Sequence, residues 1–232
     1  MDSDMNDGVV LVLLRSRRRW LAHCTALAMT AAAALVAPAH AQGTAGGPLI
    51  LIVGDSLSAE YGLKRGSGWV ALLEARLAQQ KIRARVVNAS ISGDTTSGGR
   101  TRLPALLKQH RPAIVVLELG ANDALRGLPL PMTRDNLDAM AKAAKASGAK
   151  VVITGMQLPP NYGRQYGDEF AALFAQVAKA EDAALVPFLL KGVADLPQPE
   201  ALFQPDRIHP AAAAHPVILD NVWLALEPLL KR

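Results

Sequence analysis

Leu49–Ile50–Leu51–Ile52–Val53 is an unbroken apolar run that ends abruptly at Gly54–Asp55–Ser56–Leu57–Ser58. Five apolar residues without alternation describe a strand buried on both faces, which belongs in a parallel sheet covered by helices. Ligands of such sheets bind in the crevice beyond the carboxyl ends of the strands. A serine three residues after Val53 therefore stands where a nucleophile is useful. Gly, Asp and Ser also favour plain turns, so the remainder of the chain has to decide between the two.

The pattern of the first strand repeats. Helical spacing of Val70, Leu73 and Leu77 predicts a helix over 69–80, followed by a strand over 83–88. A polar, glycine-rich loop over 90–99 precedes a predicted helix near 102–110. Strands are predicted over 113–119, 150–154 and 184–187, with helices near 134–147, 168–180 and 211–230. Gly148 is a natural stop for the first of these helices, and Pro216 fits the opening turn of the last. Alternation of strand and helix predicts an α/β fold with a parallel sheet between two helical layers, a three-layer α/β/α sandwich. Neither a linker nor an internal repeat follows Gln42, so residues 42–232 are expected to form one domain.

Residues 1–41 read differently. Arg15, Arg17, Arg18 and Arg19 precede the alanine-rich apolar stretch Leu21–Val36, and Ala39–His40–Ala41 is a small-x-small cleavage site. The stretch is short and broken by His23, Thr25 and Thr30, which favours a cleaved export signal over a membrane span. Ser16–Arg17–Arg18–Arg19–Trp20–Leu21 also resembles a twin-arginine signal. An ordinary secretory peptide with extra arginines explains the same residues, and an internal start is compatible with the acidic opening. The lone Cys24 lies in this segment beside His23, a poor lipid-attachment context. The exported chain then has no disulfide, cysteine nucleophile or thiolate ligand.

Bulk composition excludes more than it assigns. With 50% hydrophobic residues the chain has ample material for a core. Aromatics at 4% argue against stacking platforms for nucleic acid. A net charge of +5, spread along the chain apart from the arginine cluster, singles out no partner.

Four polar clusters follow strands or precede the last helix: Gly54–Ser56, Ser92–Asp94, Gly120–Asp123 and Asp206–His209. In this fold the loops after the strands meet at one edge, so these clusters can converge. A serine nucleophile needs an adjacent base, and among the histidines after residue 41 only His209 has an orienting carboxylate close by, Asp206. His110 lies at a helix end, where the dipole explains it. His215 falls in the first turn of the last helix. The Ser56 and Gly93 N–H groups and the Asn122 amide are candidate donors to an oxyanion. Asp55 and Asp123 sit in turns where Asp commonly bonds its own backbone, which points to structural roles.

These clusters are the signature blocks of the SGNH (GDSL) hydrolase superfamily, which the sequence resembles from Leu49 to the last helix. Gly54–Ala59, Val87–Thr95, Arg102–His110 and Asn161–Arg164 look like the periplasmic bacterial acyl-thioesterase I/lysophospholipase L1 (arylesterase) group. The resemblance implies a five-stranded flavodoxin-like sheet and a periplasmic or secreted, monomeric enzyme of small acyl esters and thioesters, without metal or cofactor and without nucleic-acid or stable membrane partners. It implies Ser56 as nucleophile, His209 as base and Asp206 as its orienter, with Ser56, Gly93 and Asn122 forming the oxyanion hole. By the same resemblance the loop over 123–130, with Asp123 and Leu125, borders an acyl groove. Leu158, Pro160 and Tyr162 form another wall, and Ile208 lies beside the base. Glu60 stands where relatives often carry Gly, and Arg207 where a smaller residue is frequent.

Three other readings are weaker. Gly66-x-Gly68-x-x-Ala71 imitates a dinucleotide fingerprint but does not directly follow the first strand. Neither a phosphate-binding Gly-x-x-x-x-Gly-Lys loop nor a Gly-x-Ser-x-Gly elbow is present. An acyl-binding protein without turnover predicts a degraded triad, whereas all three residues are here. A carbohydrate acetylesterase of the same superfamily predicts a short acyl pocket and stays open.

Overall fold

A computed structural model of the chain describes residues 47–231. The export segment expected over 1–41, with its cleavage site, lies outside the described residues. Five parallel strands form the centre: β1 (Leu49–Gly54), β2 (Arg85–Asn88), β3 (Ile114–Glu118), β4 (Lys150–Thr154) and β5 (Ala184–Val186), in the order β2-β1-β3-β4-β5. Each predicted strand is present, with its ends moved by at most two residues. Every position of β1 and β3 is buried, as an apolar run between two helical layers requires.

Six helices cover the sheet: α1 (Trp69–Gln79), α2 (Thr96–His110), α3 (Ala121–Leu125), α4 (Leu130–Ala146), α5 (Arg164–Ala180) and α6 (His215–Leu230). Helices α1 and α6 pack on one another, whereas α4 packs on both α2 and α5. The two groups form the outer layers. Helices α1 and α6 each turn one apolar stripe inward: Trp69, Val70, Leu73 and Leu77 on α1, and Ile218, Leu219, Val222 and Leu226 on α6. Phe170 and Phe174 of α5 meet edge to face, ring centres 5.1 Å apart.

Helices α4 and α5 start four residues before, and α6 four residues after, the expected positions, and two helices depart further. Helix α2 begins at Thr96, six residues early, and takes in Gly98 and Gly99. Glycine costs a helix about 1 kcal/mol relative to alanine, yet packing requires it: a Cβ on Gly99 would lie 2.2 Å from Leu119 Cδ1. The Thr95 hydroxyl caps the start by accepting from Gly98 N–H (3.3 Å). Helix α3 replaces part of the loop expected over 123–130.

The strand order reverses between β1 and β3. From β1 the chain crosses outward to β2, then returns past β1 to build the other half of the sheet. At such a switch point the connections leave in opposite directions and open a crevice at the carboxyl ends of the strands. Ser56 follows β1 and Asn122 follows β3, so both border it.

Candidate active site

The loop between β5 and α6 returns to this crevice and carries His209. Ser56 Oγ and His209 Nε2 are 2.9 Å apart, and His209 Nδ1 and Asp206 Oδ2 are 2.7 Å apart. With Nδ1–H donating to the carboxylate, Nε2 is left to accept the serine proton. The Asp-x-x-His spacing works because it closes a turn. Asp206 Oδ1 accepts from Ile208 N–H (2.9 Å) and His209 N–H (3.0 Å), while Oδ2 faces the imidazole. Those backbone donors, with the imidazole, lower the Asp206 carboxyl from 3.8 to about 2. Because this pKa is lowered on folding, the associated stabilisation is present above pH 3.8 and disappears as pH falls towards about 2.

The turn is held from outside by residues that the sequence reading did not single out. Gln204 N–H donates to the His209 carbonyl (2.7 Å). Gln204 Nε2 donates to the carbonyls of Tyr61 (2.8 Å) and Pro210 (3.1 Å). The Tyr61 ring stands 4.3 Å from the imidazole, centre to centre, tilted by 37°. No local motif announces the Tyr61 contacts, because they join the loop after β1 to a segment about 140 residues later.

Two candidate oxyanion donors are unengaged. Among the described residues, neither Ser56 N–H nor Gly93 N–H is taken up by a protein acceptor. Gly93 holds a left-handed φ of 78°, a conformation open to glycine at little steric cost. Arg126 Nη2 donates to its carbonyl (2.7 Å) and ties the loop after β2 to the end of α3. Arg102 steadies the same loop, donating to Asp94 Oδ2 (2.8 Å) and to the Ala89 carbonyl. The third candidate, Asn122, donates through Nδ2 to Asp55 Oδ2 (2.9 Å) and to the Asp94 carbonyl (3.0 Å).

The expected substrate-binding residues separate into two groups. Ile208 is 55% and Leu125 37% exposed at this edge of the sheet. Pro160 is exposed, and Leu158 and Tyr162 are half-buried after β4. Asp123 is a correction: it is fully buried and cannot border a groove. Its carboxylate accepts from Thr96 N–H (2.8 Å), the Thr96 hydroxyl and the Thr133 hydroxyl (3.3 Å), locking α2 to α3 and α4. The role is structural, but through distant partners rather than its own turn. Asp55 does bond its turn, accepting from Leu57 N–H (3.0 Å).

Glu60 and Arg207, the two unusual residues, have φ values of 59° and 58°. Both backbones are left-handed, a conformation that glycine adopts at least cost. The Glu60 side chain folds back on its loop, accepting from Gly66 N–H (3.0 Å) and Gly68 N–H (2.7 Å), and so is engaged away from the nucleophile. His215 is buried and accepts from Trp69 N–H (3.0 Å), pinning the start of α1 to α6; burial lowers its pKa.

Space behind the nucleophile is tight. A Cβ on Gly54 would lie 2.6 Å from Glu118 Oε2 and 2.8 Å from Ser58 Oγ. Gly54→Ala is therefore expected to destabilise the protein by about 1–3 kcal/mol through overpacking. Its denaturation midpoint, compared with that of the parent, measures this; equal midpoints would refute the steric account.

A serine whose hydroxyl is hydrogen-bonded to a carboxylate-oriented histidine, beside free backbone donors at a sheet switch point, is the working arrangement of a serine acyl hydrolase. The family model of the GDSL-like lipase/acylhydrolase family matches residues 52–217. The chain belongs to that family and is a hydrolase of acyl esters. It is 54% identical over 181 residues to the esterase TesA of Pseudomonas aeruginosa, covering 78% of this chain and 89% of the relative. It is 43% identical over 181 residues to thioesterase 1/protease 1/lysophospholipase L1 of Escherichia coli K12, covering 78% and 84%. A crystal structure of TesA superposes with a TM-score of 0.75 at 53% identity, covering 78% of this chain and 99% of that one. Among the described residues no helix is long and apolar enough to cross a membrane. Nor do they contain a group of three or more His, Cys, Asp or Glu able to hold a metal ion.

Proposed function

We propose that the protein cleaves carboxylic esters and acyl thioesters through an acyl-enzyme on Ser56. The continuous hydrogen-bonded line from Ser56 through His209 to Asp206 carries this reading. His209 takes the Ser56 proton as Oγ attacks the acyl carbonyl, and Asp206 stabilises the resulting imidazolium. The Ser56 and Gly93 N–H groups and the Asn122 amide receive the oxyanion. His209 then protonates the departing alcohol or thiol, activates water against the acyl-enzyme, and Ser56 is regenerated with release of the acid. Leu125, Leu158, Pro160, Tyr162 and Ile208 line the acyl groove. The arginine-led apolar segment before Gln42 supports export to the periplasm, where the protein acts as a monomer.

The names of the two relatives, an esterase and a thioesterase/lysophospholipase, support acyl esters and thioesters as the substrate class. The test is hydrolysis of p-nitrophenyl esters from acetyl to palmitoyl, with acyl thioesters of the same lengths alongside. Turnover extending to medium and long chains is expected. Activity confined to acetyl would replace the acyl groove by a short pocket, and no turnover of any ester would sink the proposal.

Acid should switch the reaction off. His209 accepts a proton from Ser56 only while its imidazole is neutral, and histidines charge within about pH 5 to 8. The Asp206 carboxyl, lowered to about 2, stays ionised throughout that range. A profile of kcat/KM from about pH 4 to about pH 9 should fall on the acid side. A rate unchanged at the acid end would remove His209 as the base.

A further inference from the structure

Two carboxyl groups that take no direct part in the triad lie buried immediately behind the nucleophile. Asp55 is 1% exposed and Glu118, the last residue of β3, is 2% exposed. Asp55 N–H donates to Glu118 Oε2 (3.2 Å), which sets the two carboxyl groups side by side. Two ionised carboxylates placed side by side are acceptors only and have no hydrogen to offer one another. Two adjacent buried charges of the same sign are also strongly unfavourable.

The surroundings say where the proton sits. Asp55 accepts from Leu57 N–H at Oδ1 and from Asn122 Nδ2–H at Oδ2. The Arg102 guanidinium reaches the Gly54 carbonyl (3.4 Å) on the same turn. Glu118 has the weaker support for a charge. Its Oε2 accepts from the Ser58 hydroxyl (2.7 Å) and Asp55 N–H (3.2 Å), and the charge acting on it is that of Asp55. Burial and Asp55 push the Glu118 carboxyl well above its ordinary value, whereas burial lifts Asp55 only to about 6. Of the two, Glu118 is the group that keeps the proton and Asp55 the one whose charge is supported.

The pair ends on the oxyanion hole. Asn122 Nδ2 has two hydrogens, one on Asp55 Oδ2 and one on the Asp94 carbonyl. Turning the amide over would set its oxygen against both acceptors, so its orientation is determined. An oxyanion must displace one of them. Exchange of a neutral carbonyl for an oxyanion is favourable, because hydrogen bonds to charged acceptors are roughly twice as strong. Exchange of the Asp55 carboxylate brings no such gain.

We propose that protonated Glu118 and ionised Asp55 form a proton-sharing pair that positions Asn122: Asp55 holds one amide hydrogen, and the other turns from Asp94 to the oxyanion. This rests on Asn122 being an oxyanion donor. Both acids are positioning residues, acting through the amide without touching substrate. Without the Asp55 acceptor, the broad terminal torsion of asparagine is free to wander, and the preorganisation that makes such donors effective is lost.

The test compares kcat and KM for p-nitrophenyl butyrate in the full chain and its variants. Asn122→Ala should lower kcat by about 10²–10³-fold with KM little changed. Asp55→Asn should lower kcat by at least about tenfold, because Leu57 and Asn122 donate to different oxygens of the carboxylate and an NH₂ in place of either sets donor against donor. Added to Asn122→Ala, it should cost nothing further. Glu118→Ala should behave like Asp55→Asn, whereas Glu118→Gln should restore kcat, since its amide donates to Asp55 as a protonated carboxyl does. An Asp55→Asn effect of equal size with and without Asn122, or a Glu118→Gln loss as deep as that of Glu118→Ala, overturns the proposal. If Asp55→Asn does not fold, the contrast between the two Glu118 variants decides alone, and if Glu118→Ala also fails, Glu118→Gln against the parent does. An unchanged rate in Asn122→Ala, with Ser56→Ala inactive, removes Asn122 from the hole and this proposal with it, yet leaves the serine mechanism standing. An active Ser56→Ala overturns the serine mechanism itself.

Discussion

Replacing Ser56 with alanine should lower kcat/KM for p-nitrophenyl butyrate by about 10⁴-fold or more. The hydroxyl oxygen is the only atom removed, and its one side-chain hydrogen bond in the structure is to His209. Loss of a single, partly exposed bond costs only about 1 kcal/mol of stability, so the variant should fold and melt close to the parent. The backbone donors at positions 56 and 93 survive the change. A residual rate above that of water is expected for that reason, since oxyanion stabilisation and binding persist without the nucleophile. Retention of activity within about tenfold would mean that another group attacks the carbonyl.

Asp206→Asn should be nearly as damaging, by about 10⁴-fold in kcat. The reason lies in the turn. Two backbone donors, Ile208 N–H and His209 N–H, converge on Asp206 Oδ1. An asparagine there must offer them its only acceptor, the amide oxygen. Its NH₂ group then faces His209 Nδ1, where Oδ2 stood. That ring nitrogen becomes the acceptor and Nε2 carries the proton, so the imidazole can no longer take the one from Ser56. The same rate deficit with substrates of different acyl length would show that the tautomer, and not the groove, is at fault. A variant with near-parental kcat would show that orientation of His209 does not depend on the carboxylate.

The parts of this protein governed by neighbours in the chain could be read directly. β1 and β3 announce themselves because burial on both faces leaves no polar position in or near the strand except at its end. The Asp206–His209 pair is legible because three residues are enough to close the turn that joins carboxylate to imidazole. The serine was suspect from its place after a buried strand, and the four blocks together pointed to the family. Misplaced elements had the opposite origin. Gly98 and Gly99 disfavour helix locally, and the start of α2 yields to a close approach to Leu119. Asp123 reads as a turn residue but answers to Thr96 and Thr133.

From its own residues, then, the chain determined an alternating α/β architecture, the strand that presents Ser56 and the turn that pairs His209 with Asp206. These rest on periodicity and short-range hydrogen bonds, whose partners are a few residues apart. Only the tertiary structure decided that Glu118 lies behind Asp55, that Asn122 is held between Asp55 and Asp94, and that Gln204 and Tyr61 brace the imidazole. Those contacts join segments brought together by the crossing from β1 to β3 and by the return of the last loop. A buried glutamate at the end of an apolar strand carries no local mark of its partner; packing alone supplies it.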